Sequence, residues 1–165
     1  MAKRAKKITA KTPKQVERLE YRLRDIAISE FQMHDLSLYK KKENRDEEIL
    51  SWTFQYNMFF SIDVSEIPHV LTLAIRTILM QQNVELATLG VATSFDVKGL
   101  EKLEDNTGAF TVPQPFKIGL ISASIGTIRG ILWTKFQGTK LSHVILPLVD
   151  PKHLSDNLTE LVEAR

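Results

Sequence analysis

The chain has 165 residues, of which 43% are hydrophobic and 25% are charged. This length is sufficient for one domain with a buried hydrophobic core and is too short for two independently folded domains of usual size. No cysteine is present. A disulfide scaffold, a cysteine-based zinc site and a thiol nucleophile are therefore excluded.

The positive charge is concentrated at the N-terminus. Residues 1–18 hold seven lysines or arginines against Glu17, a balance of +6, which leaves 15 basic and 19 acidic residues for the rest of the chain. Tails of this composition are usually solvated and disordered. We therefore expect residues 1–18 to form a disordered tail and residues 19–165 to form a single domain, and we do not expect nucleic acid as a partner.

No segment has the sequence pattern of an export signal or of a membrane-spanning helix. The N-terminal charges are not followed by an apolar run. No stretch reaches the roughly 18 uncharged apolar residues that a spanning helix needs. The expected location is the cytoplasm, without membrane insertion.

Residues 16–40 are predicted to begin as a short helix and to become a strand over 24–39. The alternation of that strand is imperfect, although Ile26 and Ile28 lie in phase at a period of two. The charged run at 40–48 is predicted to be a solvated turn or loop.

Three further strands are predicted in the middle of the chain. Phe59 is an aromatic exception on the polar face of the first strand, and Gly90 predicts a bulge or bend in the third. Short polar links and the absence of an intervening helix favour an antiparallel sheet with one apolar face. The side chains expected on that face are Met58, Phe60, Ile62 and Val64, then Leu71, Leu73, Ile75 and Leu79, then Ala87, Leu89, Val91, Phe95 and Val97.

Residues 116–136 predict a long helix with almost no polar side. Large apolar residues recur at helical spacing from Ile118 to Phe136. Only three residues of this helix are charged, and Gly138 is predicted to end it as the C′ residue. A second stripe, about 100° round the ideal helical wheel, consists of the small residues Gly119, Ala123, Gly126, Gly130 and Thr134.

This helix needs burial on more than one side. A helix that is apolar nearly all round must be covered nearly all round, and one four-stranded sheet covers a single side. Gly126 and Gly130 each cost about 1 kcal/mol of helix propensity, which the close approach of another backbone would offset. We predict that the helix lies between its own sheet and a second subunit, with the small-residue stripe at the oligomer interface. Burial by the C-terminal segment of the same chain is the alternative.

The C-terminal segment predicts a second, shorter helix. Asp150 suits its N-cap, Pro151 suits its first position, and Leu154 and Leu158 belong to its apolar stripe. The expected fold is α+β: a four-stranded antiparallel sheet with a long helix and a shorter C-terminal helix packed on one face.

No catalytic or metal-binding pattern emerges. The stretch SASIG at 122–126 approaches the G-x-S-x-G motif of hydrolases, but Ser122 stands where the motif needs glycine, and no strand precedes it. The four histidines are scattered, and no phosphate-binding glycine motif occurs. We therefore expect no catalytic site, no metal and no cofactor.

The sequence resembles the SecB-like export chaperones. The resemblance lies in an antiparallel four-stranded run followed by TIRGILWTKFQGT (127–139) and VILPLVDPKHLSDNL (144–158). It covers about residues 22–162 and is sharpest at 126–154. It implies a Greek-key sheet with two helices, assembled as a dimer of dimers with the long helices at the tetramer interface. It also implies ATP-independent holding of unfolded polypeptides in apolar grooves, followed by delivery to the SecA motor.

The resemblance places the client-binding groove on a set of apolar residues. Compared with the family, the last helix is poor in aromatic residues, the basic tail is extra, and a zinc-binding or acidic C-terminal tail for SecA is missing. A SecB-like chaperone dedicated to an antitoxin of a toxin–antitoxin system is therefore an alternative. The groove residues implied by the family are Phe54, Tyr56, Phe59, Phe60, Trp133, Phe136, Leu154 and Leu158.

Two other classes of protein are alternatives to the chaperone. One is an enzyme on a compact α+β fold of the thioesterase kind, which needs an acidic residue or a histidine facing a ligand tunnel. The other is a non-catalytic adaptor or small-molecule-binding α+β protein, which would act through residues 1–18 if nucleic acid were its partner.

Overall fold

A computed structural model describes residues 19–37, 39, 52–106 and 108–156 of the chain. Within these ranges it contains a four-stranded sheet, two α-helices and a single 3-10 helical turn. In chain order the elements are β1 (Glu20–Met33), β2 (Trp52–Asp63), β3 (His69–Gln81), β4 (Val84–Lys98), the 3-10 turn (Leu100–Leu103), α1 (Gln114–Phe136) and α2 (Pro151–Asp156).

The sheet has the predicted antiparallel Greek-key order, β1-β4-β3-β2. β2, β3 and β4 follow one another as a meander, and β1 lies beside β4 at the far edge. The turn between β3 and β4 consists of Gln82 and Asn83, whose φ angles are 49° and 66°. Two positive φ angles are typical of the two-residue turn that matches the twist of a hairpin.

The core lies between α1 and one face of the sheet. Every side chain predicted on the apolar faces of β2, β3 and β4 is buried, apart from the half-buried Val64 just after β2. From α1, Leu120, Ile121 and Ile128 are completely buried against them. Each such side chain stabilises the fold by about 1.5–3 kcal/mol relative to full exposure. The two-layer α+β architecture predicted from the sequence is confirmed.

The prediction for the first strand was wrong at both ends. β1 begins at Glu20, where a helix was expected, and it ends at Met33 rather than near Tyr39. Pairing with β4 overrides local helix propensity: Glu20 lies opposite Lys98, and the Arg22 guanidinium donates to the Asp96 carboxylate at 2.7 Å.

Two bulges explain why the alternation in β1 is imperfect. The pairing of β1 with β4 shifts between Leu23 and Asp25, and again between Ile28 and Glu30. The second shift lies opposite Gly90, but the extra residue is Ser29 of β1, so the bulge predicted in β4 lies in the neighbouring strand instead. A Cβ on Gly90 would stand 2.6 Å from the Ser29 hydroxyl oxygen. Glycine at this position therefore lets the bulged strand approach β4.

The helix ends follow the sequence signals. α1 begins two residues before the predicted start, and Gly138 has φ +75° directly after its C-cap. The Asp150 carboxylate accepts a hydrogen bond from the Lys152 backbone N–H at 2.9 Å, as expected of an N-cap. The Gln114 side-chain amide donates to the Ser155 hydroxyl at 2.6 Å, which ties α2 to the start of α1.

The composition of α1 also meets the criterion for a membrane span. Among the described helices it alone is long and apolar enough, with a hydropathy of 1.2 over its most apolar window. The core helix of a soluble protein passes the same test. α1 packs its buried face on the sheet of its own chain.

The close approach at Gly90 predicts a specific loss of stability. The substitution Gly90→Val would push against Ser29 and against Glu30, whose carboxylate accepts from the Arg76 guanidinium across the same strand. We expect the free energy of unfolding in urea to fall by about 2 kcal/mol, as for an overpacked site. The matched control is Ala92→Val, on the same face of β4, for which a change below about 0.5 kcal/mol is expected. Equal losses for the two variants would contradict this explanation.

Candidate functional site

The face of α1 that points away from the sheet is open and carries mainly small residues, with Arg129 at its margin. On Gly126 and Gly130 a Cβ would meet no other atom within 4 Å. The helix-propensity cost of these glycines is therefore not offset inside the described part of the protomer. Residues up to 156 of the C-terminal segment do not approach them. We call this surface the outward face of α1, and its residues are Ser122, Ala123, Gly126, Gly130, Trp133 and Thr134. Gly119, predicted to share this face, is half-buried, and a Cβ on it would stand 3.7 Å from the Tyr21 hydroxyl of β1.

Hydroxyl groups do not make this surface strongly polar. The hydroxyls of Ser122, Thr127 and Thr134 each donate to the carbonyl oxygen four residues earlier, at 2.9, 3.1 and 3.0 Å. Each donor is therefore satisfied by the helix itself. Another apolar surface can cover the outward face of α1 without leaving these hydroxyl donors unbonded.

β1 carries exposed apolar side chains on the side of the sheet that faces α1. Tyr21, Leu23, Ile26 and Ile28 remain 46, 50, 40 and 47% exposed. Leu23, Ile26 and Ile28 are uncovered because α1 lies over β3 and β4, while β1 is at the edge. The Tyr21 ring is partly covered by Phe116 of α1, with the ring centres 5.4 Å apart. We call these four side chains the exposed row of β1.

An open groove joins the exposed row of β1 to α1. Its volume is about 530 Å³. Lys135 is the only charged residue that lines it, and its ammonium nitrogen stands 5.2 Å from the centre of the Phe31 ring, within cation–π range. The apolar surface is therefore continuous from β1 to the outward face of α1. The groove is lined by Ile28, Gly126, Thr127, Gly130, Ile131, Thr134 and Lys135.

The opposite edge of the sheet carries a row of aromatic side chains. Trp52, Phe54 and Tyr56 of β2 are half-buried on the α1 side, and we call them the aromatic row. Among the described residues, the buried Trp52 indole nitrogen and Tyr56 hydroxyl have no hydrogen-bond partner, and the same holds for the Thr77 hydroxyl directly opposite Tyr56. Burial raises the pKa of Tyr56 to about 12, so its hydroxyl remains protonated at neutral pH.

The aromatic row is anchored at its Trp52 end. The Trp52 ring lies 5.6 Å from the His143 imidazole, which belongs to the segment that follows α1. The Tyr39 hydroxyl stands 2.8 Å from Nε2 of the same histidine. These contacts hold the start of β2 against the end of the long helix.

The other face of the sheet is polar, and its described charges are largely paired. The Arg76 guanidinium donates to Glu30 at 3.0 Å, and Arg22 donates to Asp96 at 2.7 Å. Exposed pairs of this kind contribute about 0–1 kcal/mol each, so they serve solubility more than stability. Phe59 is half exposed on this face, as the alternation predicts.

The described titratable groups serve local structure. A hydrogen bond from the Thr88 hydroxyl is the chief reason that the pKa of Glu85 is lowered, and hydrogen bonds from Ser65 lower the pKa of Asp63 in the same way. Within the described ranges no three histidine or acidic side chains come together as a set of metal ligands. A cavity of about 270 Å³ opens at the start of β1, beside the paired Arg22 and Asp96.

The structure distributes the predicted groove residues over several surfaces. Phe60 and Phe136 are buried in the core, with 7% and 1% of their surface exposed. Phe59 and Trp133 are half exposed but lie on opposite sides of the two layers. Phe54 and Tyr56 share the aromatic row, Leu154 packs on the core, and Leu158 lies outside the described residues. Client binding by these residues stays a prediction.

The exposed row of β1 was not predicted from the sequence. Tyr21 and Leu23 fell in the expected short helix, and a bulge separates Leu23 from Ile26. The available signal was Leu23, Ile26 and Ile28 read as one apolar face with one extra residue inserted, which is what a bulge produces.

The solved structures include chains that match this one. No protein-family model matches this chain, and no curated protein matches its sequence. The chain is similar to the Mycobacterium tuberculosis SecB-like chaperone Rv1957 in complex with a ChAD peptide from the Rv1956 HigA1 antitoxin, at 14% sequence identity and a TM-score of 0.45. The match covers 78% of this chain and 90% of that chain.

Proposed function

We propose that this protein is an ATP-independent holding chaperone that works as an oligomer in the cytoplasm. The observation that carries the proposal is the continuous, mainly apolar surface formed by the exposed row of β1, the groove with its charged residue Lys135, and the outward face of α1. Soluble monomers rarely expose contiguous apolar patches larger than a few hundred Å², and larger patches mark sites of interaction.

Self-association explains why the outward face of α1 is made of small residues. Gly126 and Gly130 leave the helix backbone accessible, and the neighbouring hydroxyls are satisfied within the helix. A second copy can therefore come closer to this face than larger side chains would allow. Oligomers of identical chains are usually closed and symmetric, so the same face of each copy would meet its equivalent. The dimer of dimers implied by the family resemblance is one such assembly.

Client binding accounts for the remaining apolar side chains. Phe59 is half exposed, and the half-buried aromatic row offers the edges of three rings on a strand whose one charge is Asp63. Apolar contact is non-directional, so one surface can hold many different unfolded segments. Holding of this kind needs no nucleotide, because the affinity comes from removing client surface from water.

A non-catalytic role is part of the proposal. The carboxylates with lowered pKa accept hydrogen bonds from adjacent serine and threonine side chains. A general acid or base needs a shifted pKa beside a reactive partner in a cleft, and these groups are engaged in local turns and strand contacts instead.

Two versions of the activity differ in their clients. One holds many preproteins for export through SecA, and the other holds a single antitoxin. Both would use the same apolar surface. The polypeptides that copurify with the chain separate them: a broad mixture supports the first version, and one dominant polypeptide supports the second.

The proposal predicts suppression of aggregation without ATP. A chemically denatured luciferase diluted into buffer should scatter less light when the chain is present at about equimolar concentration. The variant Phe59→Ser should need roughly threefold more protein for the same suppression, because part of an exposed apolar ring is lost. Ile67→Ser is the matched control, since Ile67 is 94% exposed in the turn before β3. Unchanged scattering with the wild-type chain would contradict the proposal.

The proposed assembly predicts opposite effects of one substitution on mass and on helix stability. Gly126→Leu improves helix propensity by about 0.8–1 kcal/mol and meets no atom of its own protomer. It should nevertheless block the approach of a second copy, so the particle should dissociate while circular dichroism shows an intact helix. If light scattering shows the wild-type mass for this variant, the outward face of α1 is not the subunit interface.

A further inference from the structure

The two edge strands of the sheet differ in how they resist pairing with another strand. β1 is interrupted by two bulges and includes the charged residues Glu20, Arg22, Arg24, Asp25 and Glu30. Bulges and charges of this kind are the usual protection of a sheet edge. β2 has neither: its register with β3 is unbroken, and it contains no lysine, arginine, glutamate or proline, its one charge being Asp63 at the end.

The edge of β2 is free in the described part of the chain. Its backbone pairs there only with β3, so alternate residues direct N–H and C=O groups away from the sheet. The aromatic row flanks this edge on the α1 side, and Gln55 and Asn57 project on the other side. An unprotected edge flanked by aromatic side chains is a template for strand addition.

We infer that the edge of β2 binds an extended, uncharged client segment as a fifth strand of the sheet; this inference rests on the proposed holding function. Backbone hydrogen bonds to β2 would supply affinity without regard to client sequence. Packing on the aromatic row would select segments whose apolar residues recur at every second position. Proline-containing or charged segments would be rejected.

A client fits this edge better than a second copy of the chain. The aromatic row is already half-buried by its own protomer, so leaving the edge empty between clients exposes little apolar surface. The exposed row of β1 and the outward face of α1 leave far more apolar surface uncovered, and they lie toward the other edge. Permanent contact between copies therefore belongs there, and reversible binding belongs at β2.

Backbone methylation of a peptide tests strand addition directly. The probe is a fluorescein-labelled peptide that alternates phenylalanine or valine with serine or threonine. Two derivatives carry N-methyl groups on one or the other alternate set of amides, which removes the donors from one edge of the peptide strand. We expect fluorescence anisotropy to show about tenfold weaker binding for one derivative and little change for the other. Loss with both or with neither overturns the inference.

Two substitutions of the same kind locate the binding edge. Gln55 and Gln32 are exposed at opposite ends of one cross-strand row, through Ile78 and Thr88. Gln55→Lys protects the β2 edge with a charge and should weaken peptide binding about fivefold, while Gln32→Lys on β1 should leave it unchanged. Equal effects overturn the inference. A change of particle mass with Gln55→Lys also overturns it, because the edge would then join two copies.

The outcome also separates this inference from the proposed function. Suppression of aggregation combined with equal binding of both methylated peptides leaves the chaperone and removes the fifth strand. Discrimination between the methylated peptides without suppression of aggregation leaves the strand-binding edge and removes the chaperone.

Discussion

The structure depends on a mismatch of area: one helix covers only part of one face of a four-stranded sheet. α1 buries the side chains of β3 and β4, and its other side carries mainly glycines, alanine and internally bonded hydroxyls. The same mismatch leaves Leu23 and Ile28 of β1 half exposed. Because apolar surface is driven out of water in proportion to its area, these two uncovered regions require the same kind of partner.

The distribution of charge gives each surface a different character. The polar face of the sheet carries ion pairs such as Arg76 with Glu30, whereas the α1 side has Lys135 as the only charged residue in its groove. The two edges differ in the same sense, since β1 is bulged and charged and β2 is regular and nearly uncharged. The molecule therefore combines a polar face, an open and mainly apolar region at α1 and β1, and a regular edge strand with a single charge.

Much of the fold was predictable because period-two and helical patterns report burial directly. The faces of β2, β3 and β4, the C′ residue Gly138 and the N-cap Asp150 follow from local side-chain chemistry. β1 was not predictable in the same way, because its residues take their register from β4 and two bulges break the period. The candidate site was harder to predict from the sequence than the fold. Phe60 and Phe136 are of the residue type expected in a binding groove, but both are buried in the core. Composition cannot distinguish these two uses of a phenylalanine.

Sedimentation of the wild-type chain at micromolar concentration tests the central claim most directly. Self-association through α1 and β1 predicts a folded particle whose mass is a multiple of the 18.8 kDa subunit. A well-folded particle of 18.8 kDa would mean that the apolar surface stays exposed to water in a stable monomer, and it would contradict the account.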